Sequence, residues 1–398
     1  MSNFISYGRH AIDQDDIKAV EAVLKGDWLT CGSVVEAFEQ KLCEITESPF
    51  AISCSNGTTA LHLALLALGI GPGDRVIVPA ITFLASANAA RFVGADVIFA
   101  DIDPATGLMT AETLENAFKS QKDPVKVKAV INVHLNGQCG DLEAIYQVAK
   151  RYNLSIVEDA AHAIGTNYIN QQGKKYPIGS NQFSDLTTFS FHPVKTIATG
   201  EGGAVTCKSP EMAKRLKLLR GHGMLRNKDD WQNTEQGFDE NNLANPWYYE
   251  MQDIGYNYRI SDINCALGLN QLTKLESFKA RRKELAEKYD AAFKEEAHIS
   301  SIKKHAFSDT VWHLYVIKID FKVIEKSRAQ VMNFLKDKGI GTQVHYMPLY
   351  RHPYYQSLYG SSNLPGAEAY YASCLSIPLY VGLTDEQQDF VTNTLKAL

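Results

Sequence analysis

Thr188-Phe189-Ser190-Phe191-His192-Pro193-Val194-Lys195-Thr196-Ile197-Ala198-Thr199-Gly200-Glu201-Gly202-Gly203 is the stretch on which the fold is decided. A short apolar strand, residues 186–191, runs into a lysine, and a glycine-rich turn follows at once. A lysine at the end of a buried strand is poorly hydrated, so its ammonium form is disfavoured and its pKa falls. An amine freed in that way can form a Schiff base with an aldehyde cofactor. A surface lysine opening a loop would show the same local pattern, so the choice rests on the stretches upstream.

Working outward, Ser155-Ile156-Val157 reads as a short strand that ends in Glu158-Asp159-Ala160-Ala161-His162. Asp159 is then partly buried and needs a cationic partner, for which a protonated pyridine nitrogen would serve. A helix N-cap aspartate fits the same position, and His162 reads equally as a core histidine. Earlier, strand 51–55 turns through Asn56-Gly57-Thr58-Thr59 into an apolar helix. Glycine and hydroxyl residues at a helix N-terminus form an anion cradle of free N–H groups, although Thr58 or Thr59 could simply cap the helix. Between these units, strands at 75–79, 96–100 and 129–133 alternate with helix-like stretches. The order predicts an α/β fold with a mostly parallel sheet and helices on both faces. Ligands of such sheets bind beyond the carboxyl ends of strands. Phe83, just after strand 75–79, is either core or a flat face for an aromatic ring.

Together a phosphate cradle, an aromatic platform, a buried aspartate and a strand-end lysine match the needs of pyridoxal 5′-phosphate. The rest of the composition adds exclusions. With 398 residues, 45% hydrophobic and 21% charged, the chain has the make-up of a globular protein. A net charge of −5 gives no support to nucleic acid or an anionic membrane as partner. No secretory signal is evident at the start, and the longest apolar run, residues 60–70, is too short to span a bilayer. Seven scattered cysteines without a Cys-x-x-Cys spacing predict no disulfide framework and no structural metal site, and they fit a reducing cytoplasm.

These motifs resemble the DegT/DnrJ/EryC/StrS family of nucleotide-sugar aminotransferases. The likeness runs nearly the whole length and includes Leu29-Thr30-Cys31-Gly32, Ser55-Asn56-Gly57-Thr58-Thr59-Ala60, Gly221-His222-Gly223-Met224, Gly255-Tyr256-Asn257-Tyr258-Arg259 and Gln343-Val344-His345-Tyr346-Met347-Pro348. It implies the aspartate aminotransferase-like fold (type I) of pyridoxal-phosphate transferases. A large cofactor-binding domain would span residues 1–260 and a smaller C-terminal α+β domain residues 261–398. It also implies roles. Lys195 would carry the cofactor and Asp159 would pair with its ring nitrogen. His162 would face its phenolic oxygen and Phe83 would cover the ring. Gly57, Thr58, Thr59 and Ser190 would hold the phosphate, with Asn257 reaching it from the second subunit of a homodimer. Thr30, Arg259, His345 and Tyr346 would line the nucleotide-sugar cleft. Within the family the likeness points to the branch that aminates a UDP-linked 4-keto-6-deoxy-N-acetylhexosamine for pseudaminic acid-type glycans, with glutamate as donor. Some relatives carry histidine in place of the lysine and run a dehydration, and Lys195 argues against that branch. Other UDP-, GDP- or dTDP-linked 4-keto sugars, and a cofactor-bound regulator without turnover, are the alternatives.

In the remainder, helical spacing is expected over 13–24, 34–42, 262–275, 278–293, 327–338 and 384–395, and strands over 312–319 and 342–345. The segment 232–246 is polar, Asn-rich and expected to be a mobile surface excursion. The aromatic group Tyr346, Tyr350, His352, Tyr354 and Tyr355 reads as core or as a wall for a base and sugar.

Overall fold

The computed structural model describes residues 4–398. Its central sheet has seven strands: β1 (Phe50–Cys54), β2 (Arg75–Pro79), β3 (Asp96–Ala100), β4 (Val127–Val133), β5 (Ser155–Asp159), β6 (Leu186–Ser190) and β7 (Gly203–Cys207). They lie in the order β1-β7-β6-β5-β4-β2-β3. The pairings β2–β3, β2–β4, β4–β5 and β5–β6 are parallel. Helices cross over from β2 to β3, from β3 to β4 and from β4 to β5, whereas β5 reaches β6 through the short strands Asn167–Ile169 and Lys175–Pro177. Strand β7 runs antiparallel between β1 and β6. The alternation does not anticipate it, because a strand that reverses after a glycine-rich turn has no crossover helix to mark it.

Buried side chains pack against both faces of the sheet. Helix Gly57–Ala67 is buried from Ala60 to Leu65 and again at Ala67, and it packs on β6 and β7. Each such Leu side chain taken from water stabilises the fold by roughly 1.5–3 kcal/mol. The helix is capped by Asn56, whose Oδ1 accepts the Thr59 N–H at 2.9 Å while Thr59 Oγ1 accepts the Asn56 N–H at 3.1 Å. The cap therefore falls on Asn56 and not on Thr58 or Thr59, because the reciprocal pair needs its two side chains three residues apart.

Helices Asp262–Thr273 and Leu275–Phe293 lead to a three-stranded antiparallel sheet of Ile299–Ser301, Tyr315–Ile319 and Cys374–Ile377, with Tyr315–Ile319 central. The strand expected from 312 begins three residues later. The carbonyls of Trp312 and His313 accept from the guanidinium of Arg282, as does that of Leu379, at 3.2, 3.2 and 3.3 Å. Arg282 is fully buried, and lost hydration lowers its pKa to about 10, so it keeps its charge at neutral pH. The strand expected over 342–345 does not form. Gln343 makes one bridge to Ser376, after which the chain leaves the sheet.

The excursion at 232–246 is tied down at one end. Glu250 accepts the N–H groups of Gln232 and Asn233, the Tyr248 hydroxyl and the Gln252 amide. Burial opposes its ionisation, but these donors outweigh burial and hold its pKa down to about 2. A second remote carboxylate starts helix Ser33–Thr46, whose own N-cap, Gly32, has no side chain to offer. Buried Asp262 accepts the N–H groups of Gly32, Val34 and Val35 at 2.7, 3.2 and 3.2 Å. Asp262→Ala should therefore lower the unfolding free energy by about 2–3 kcal/mol, and Asp262→Asn by less. Urea denaturation of the two variants checks this, and an unchanged midpoint for the alanine variant contradicts it.

Candidate active site

The carboxyl ends of β4, β5 and β6 open on one cavity of about 890 Å³. Register fixes what they present, since Val133 pairs with Asp159 and Asp159 with Thr188. Lys195 follows β6 by five residues, in a turn closed by its own N–H to His192 O at 2.8 Å, and it lines the cavity. Lost hydration lowers its pKa to about 8, against the opposing pull of the Asp159 charge. Near neutrality a usable fraction of this amine is unprotonated, as a nucleophile or base requires.

Asp159 is buried at the tip of β5. Its Oδ2 accepts from Ser86 Oγ at 2.7 Å and its Oδ1 from the Ala161 N–H at 3.1 Å. Because Ser86 gives its proton to Asp159, the Thr82 hydroxyl at 2.8 Å donates to Ser86 Oγ. All these donors are neutral, so the carboxylate is solvated without being neutralised, and its charge remains for a cation in the cavity. Thr82 and Ser86 stand four residues apart at the start of helix Leu84–Phe92. That spacing is visible in the sequence but was not assigned to Asp159, since nothing local links it to a strand 73 residues away.

At the opposite wall, helix Gly57–Ala67 points its N-terminus into the cavity. The Thr59 N–H is taken by Asn56 Oδ1 and the Ala60 N–H by Asn56 O, which leaves the Gly57 and Thr58 groups for a ligand. A Cβ on Gly57 would stand 2.7 Å from Ser190 Cβ, so only glycine lets this turn close on the end of β6. The Thr59 hydroxyl is spent on the cap, bonding Asn56 and Ser55. Phe83 lies between buried Thr82 and half-buried Leu84, yet is 53% exposed because its ring faces the cavity. Tyr346 stands 6.0 Å from it, centroid to centroid.

Of the five histidines that line the cavity, His162, His313 and His345 are neutral. His162 and His313 have pKa values well below the ordinary imidazole range, and His345 falls to about 3. Burial is the main cause in each, and the positive charge of Lys195 adds to it. His345 Nδ1 meets Ser376 Oγ at 2.7 Å. His313, two residues before strand Tyr315–Ile319, is not marked out by the sequence, where nothing sets it apart from a core histidine. Of the aromatic group, Tyr350 and Tyr355 are core, Tyr346 and His352 line the cavity, and Tyr354 is exposed.

Three sequence-predicted residues lie elsewhere. Thr30 and Asn257 are exposed and Arg259 is half-buried, none of them lining this cavity. They share a separate surface unit in which Thr30 bridges Ser261 and the Asp262 N–H donates to Leu29 O. Trp28, Leu29 and Ile254, 69%, 47% and 72% exposed, lie in the same two segments.

The family of DegT/DnrJ/EryC1/StrS aminotransferases matches this chain over residues 10–396. The chain belongs to that family. It is 37% identical to the spore coat polysaccharide biosynthesis protein SpsC of Bacillus subtilis over 99% of this chain and 97% of SpsC. It is also 37% identical to the UDP-4-amino-4,6-dideoxy-N-acetyl-beta-L-altrosamine transaminase of Campylobacter jejuni, over 98% of this chain and 96% of that enzyme. The solved structure of Helicobacter pylori PseC, described as an aminotransferase involved in pseudoaminic acid biosynthesis, superposes with a TM-score of 0.87. It is 30% identical to this chain, with 99% of this chain and 98% of PseC covered. Aminotransferases of this family depend on pyridoxal 5′-phosphate. The cavity fits that group on its own terms, through the Gly57–Ser190 cradle, the unneutralised Asp159 and the poorly hydrated amine.

Two outcomes follow from this geometry. Amine-directed labelling of Lys195, read by mass spectrometry against pH, should be half-maximal near pH 8 where ordinary lysines need about 10.5. Asp159→Asn removes the charge that raises the lysine's pKa, so it should move that midpoint lower, and a move upward contradicts the pairing. Gly57→Ala should weaken pyridoxal phosphate binding by at least about tenfold, since one lost or distorted charge-assisted bond is worth ~1.5–3 kcal/mol. Titration of the absorption band checks it.

Proposed function

We propose that this enzyme transfers the amino group of glutamate to the 4-keto carbon of a UDP-linked 4-keto-6-deoxy-N-acetylhexosamine. The product would be a UDP-4-amino sugar for pseudaminic acid-type surface glycans, made in the cytoplasm by a homodimer with shared sites. What carries the reading is that Lys195 and Asp159 open on one cavity in a chain so similar to the Campylobacter transaminase. The separation of Thr30, Asn257 and Arg259 from that cavity supports the dimer. Among the residues lining the cavity there is no arginine to hold a diphosphate or a donor carboxylate.

Bound pyridoxal phosphate supplies an electrophilic carbon and an electron-withdrawing ring. The Gly57 and Thr58 N–H groups and Ser190 Oγ would hold its phosphate, Phe83 would cover the ring, and Asp159 would pair with the ring nitrogen and keep the proton there. Lys195 Nζ would hold the cofactor and, as the poorly hydrated amine of the cavity, would take the proton from the α-carbon of glutamate and, in the second half-reaction, deliver one to C4 of the sugar. His162, His313 and His345, being neutral, take no part in that proton traffic.

An aminotransferase for a different nucleotide sugar is the second reading, favoured by the equal identity to SpsC. Release of 2-oxoglutarate from glutamate, measured with UDP-, GDP- and dTDP-linked 4-keto-6-deoxy sugars in parallel, separates the two. The UDP sugar should give the highest kcat/KM, and Lys195→Ala should abolish turnover with each. A higher value for another nucleotide overturns the first reading in favour of the second. Shared sites have their own test. Lys195→Ala and Arg259→Ala chains, each inactive alone, should regain activity when unfolded and refolded together, because one site per mixed dimer is then intact. A mixture that stays inactive contradicts sharing.

A further inference from the structure

The turn Leu135-Asn136-Gly137 leaves β4 and wedges between two segments far apart in sequence. A Cβ on Gly137 would meet Val311 O at 2.0 Å, His162 O at 2.9 Å and the His313 nitrogen at 3.0 Å, so the wedge has no slack. Thr166 pins it, donating to Gly137 O at 2.6 Å while accepting the Val311 N–H at 2.9 Å. Asn136 itself is wholly buried, with φ +63° and ψ 2°. Among L residues asparagine enters this left-handed region most readily, and a β-branched residue is strongly disfavoured there. In this conformation the Asn136 N–H donates to His162 Nδ1 at 3.3 Å, and its carbonyl accepts the His313 N–H at 2.9 Å.

A neutral imidazole has one N–H and one lone pair. If Nδ1 accepts from Asn136, the proton is on Nε2, which lies 3.5 Å from Tyr346 Oη on the cavity side. Charging the ring would set an Nδ1–H against the Asn136 N–H. Nothing facing the ring favours charging. It is approached by the His313 ring at 4.5 Å between centroids and by the charge of Lys195, with His345 and Tyr346 also neutral.

We infer that Asn136 is a positioning residue whose left-handed backbone fixes His162 as the Nε2–H tautomer, a permanent donor toward an anionic oxygen in the cavity. That His162 then serves a bound pyridoxal phosphate rests on the function proposed above, whereas the tautomer does not.

The test is nitrogen-15 NMR of full-length, histidine-labelled protein, alone and loaded with pyridoxal phosphate, with the His162 signals assigned by their loss in His162→Asn. Wild type and Asn136→Gly, which keeps the left-handed turn, should both show Nε2 protonated and Nδ1 bare, unchanged between about pH 6 and pH 8. Asn136→Val should show Nδ1 protonation and a titrating ring. Its kcat should fall roughly 10- to 100-fold at unchanged KM, the loss expected when an outer partner that orients a histidine is removed. An Nδ1–H tautomer in wild type overturns the inference whether or not the valine variant folds, as does a folded valine variant with an unaltered His162. Should the sugar assays fail while the Nε2–H signature holds, the proposed function falls and the role of Asn136 in setting the tautomer stands.

Discussion

The constraint on which the site depends is a carboxylate, Asp159, placed at the tip of a central strand and solvated there by neutral donors alone. Moving an ionised carboxylate out of water is costly, and hydrogen bonds to it recover only part of that cost. Keeping Asp159 in place therefore takes a sheet to fix its height, a helix to bring Ser86 to one oxygen, and a turn to bring the Ala161 N–H to the other. Thr82, behind Ser86, orients that hydroxyl. A protein cation in direct contact would have stabilised the charge more simply. Neutral solvation instead leaves the negative field projecting into the cavity, where it acts on Lys195 and on whatever the cavity holds.

The same dryness decides which group handles protons. Burial pushes both lysine and histidine toward their neutral forms. For three histidines that start near neutrality, the shift removes them from titration in the physiological range. For a lysine that starts at 10.5, the same shift brings it to about 8, within reach of neutral pH. One physical effect thus silences these three histidines and brings the lysine into range. The Asp159 charge limits how far the lysine falls.

Much of this was legible in the sequence, and the limits have physical causes. The parallel core was readable because buried strands are short β-branched runs and crossovers are helices, so the positions just after strands picked out Phe83, Asp159, Ser190 and Lys195. Strand β7 was missed because it enters through glycines and reverses direction. The strand expected at 342–345 failed because β-like composition does not reveal where hydrogen-bond partners end, and here they end at Gln343. Ser86 and His313 were illegible as site residues for a common reason. Each acts through a contact made across 73 or 177 positions of sequence, and a side chain's partner at that distance is a product of the fold.

The motif Gly255-Tyr256-Asn257-Tyr258-Arg259 shows how a strong sequence signal can be separated from the cavity it was expected to serve. Asp262 and the Thr30–Ser261 bridge hold it against the Thr30 loop, and none of its residues lines the Lys195 cavity. A half-buried guanidinium there, with apolar Trp28 and Ile254 exposed in the same segments, makes poor sense as the finished surface of an isolated chain. Under the shared-site homodimer proposed above, it would be the wall that a neighbouring copy's cavity lacks, since that cavity has a lysine but no arginine among its lining residues. Proton chemistry would then be built within one protomer, where the strand ends are held rigidly, and recognition of an anionic substrate would fall to this surface.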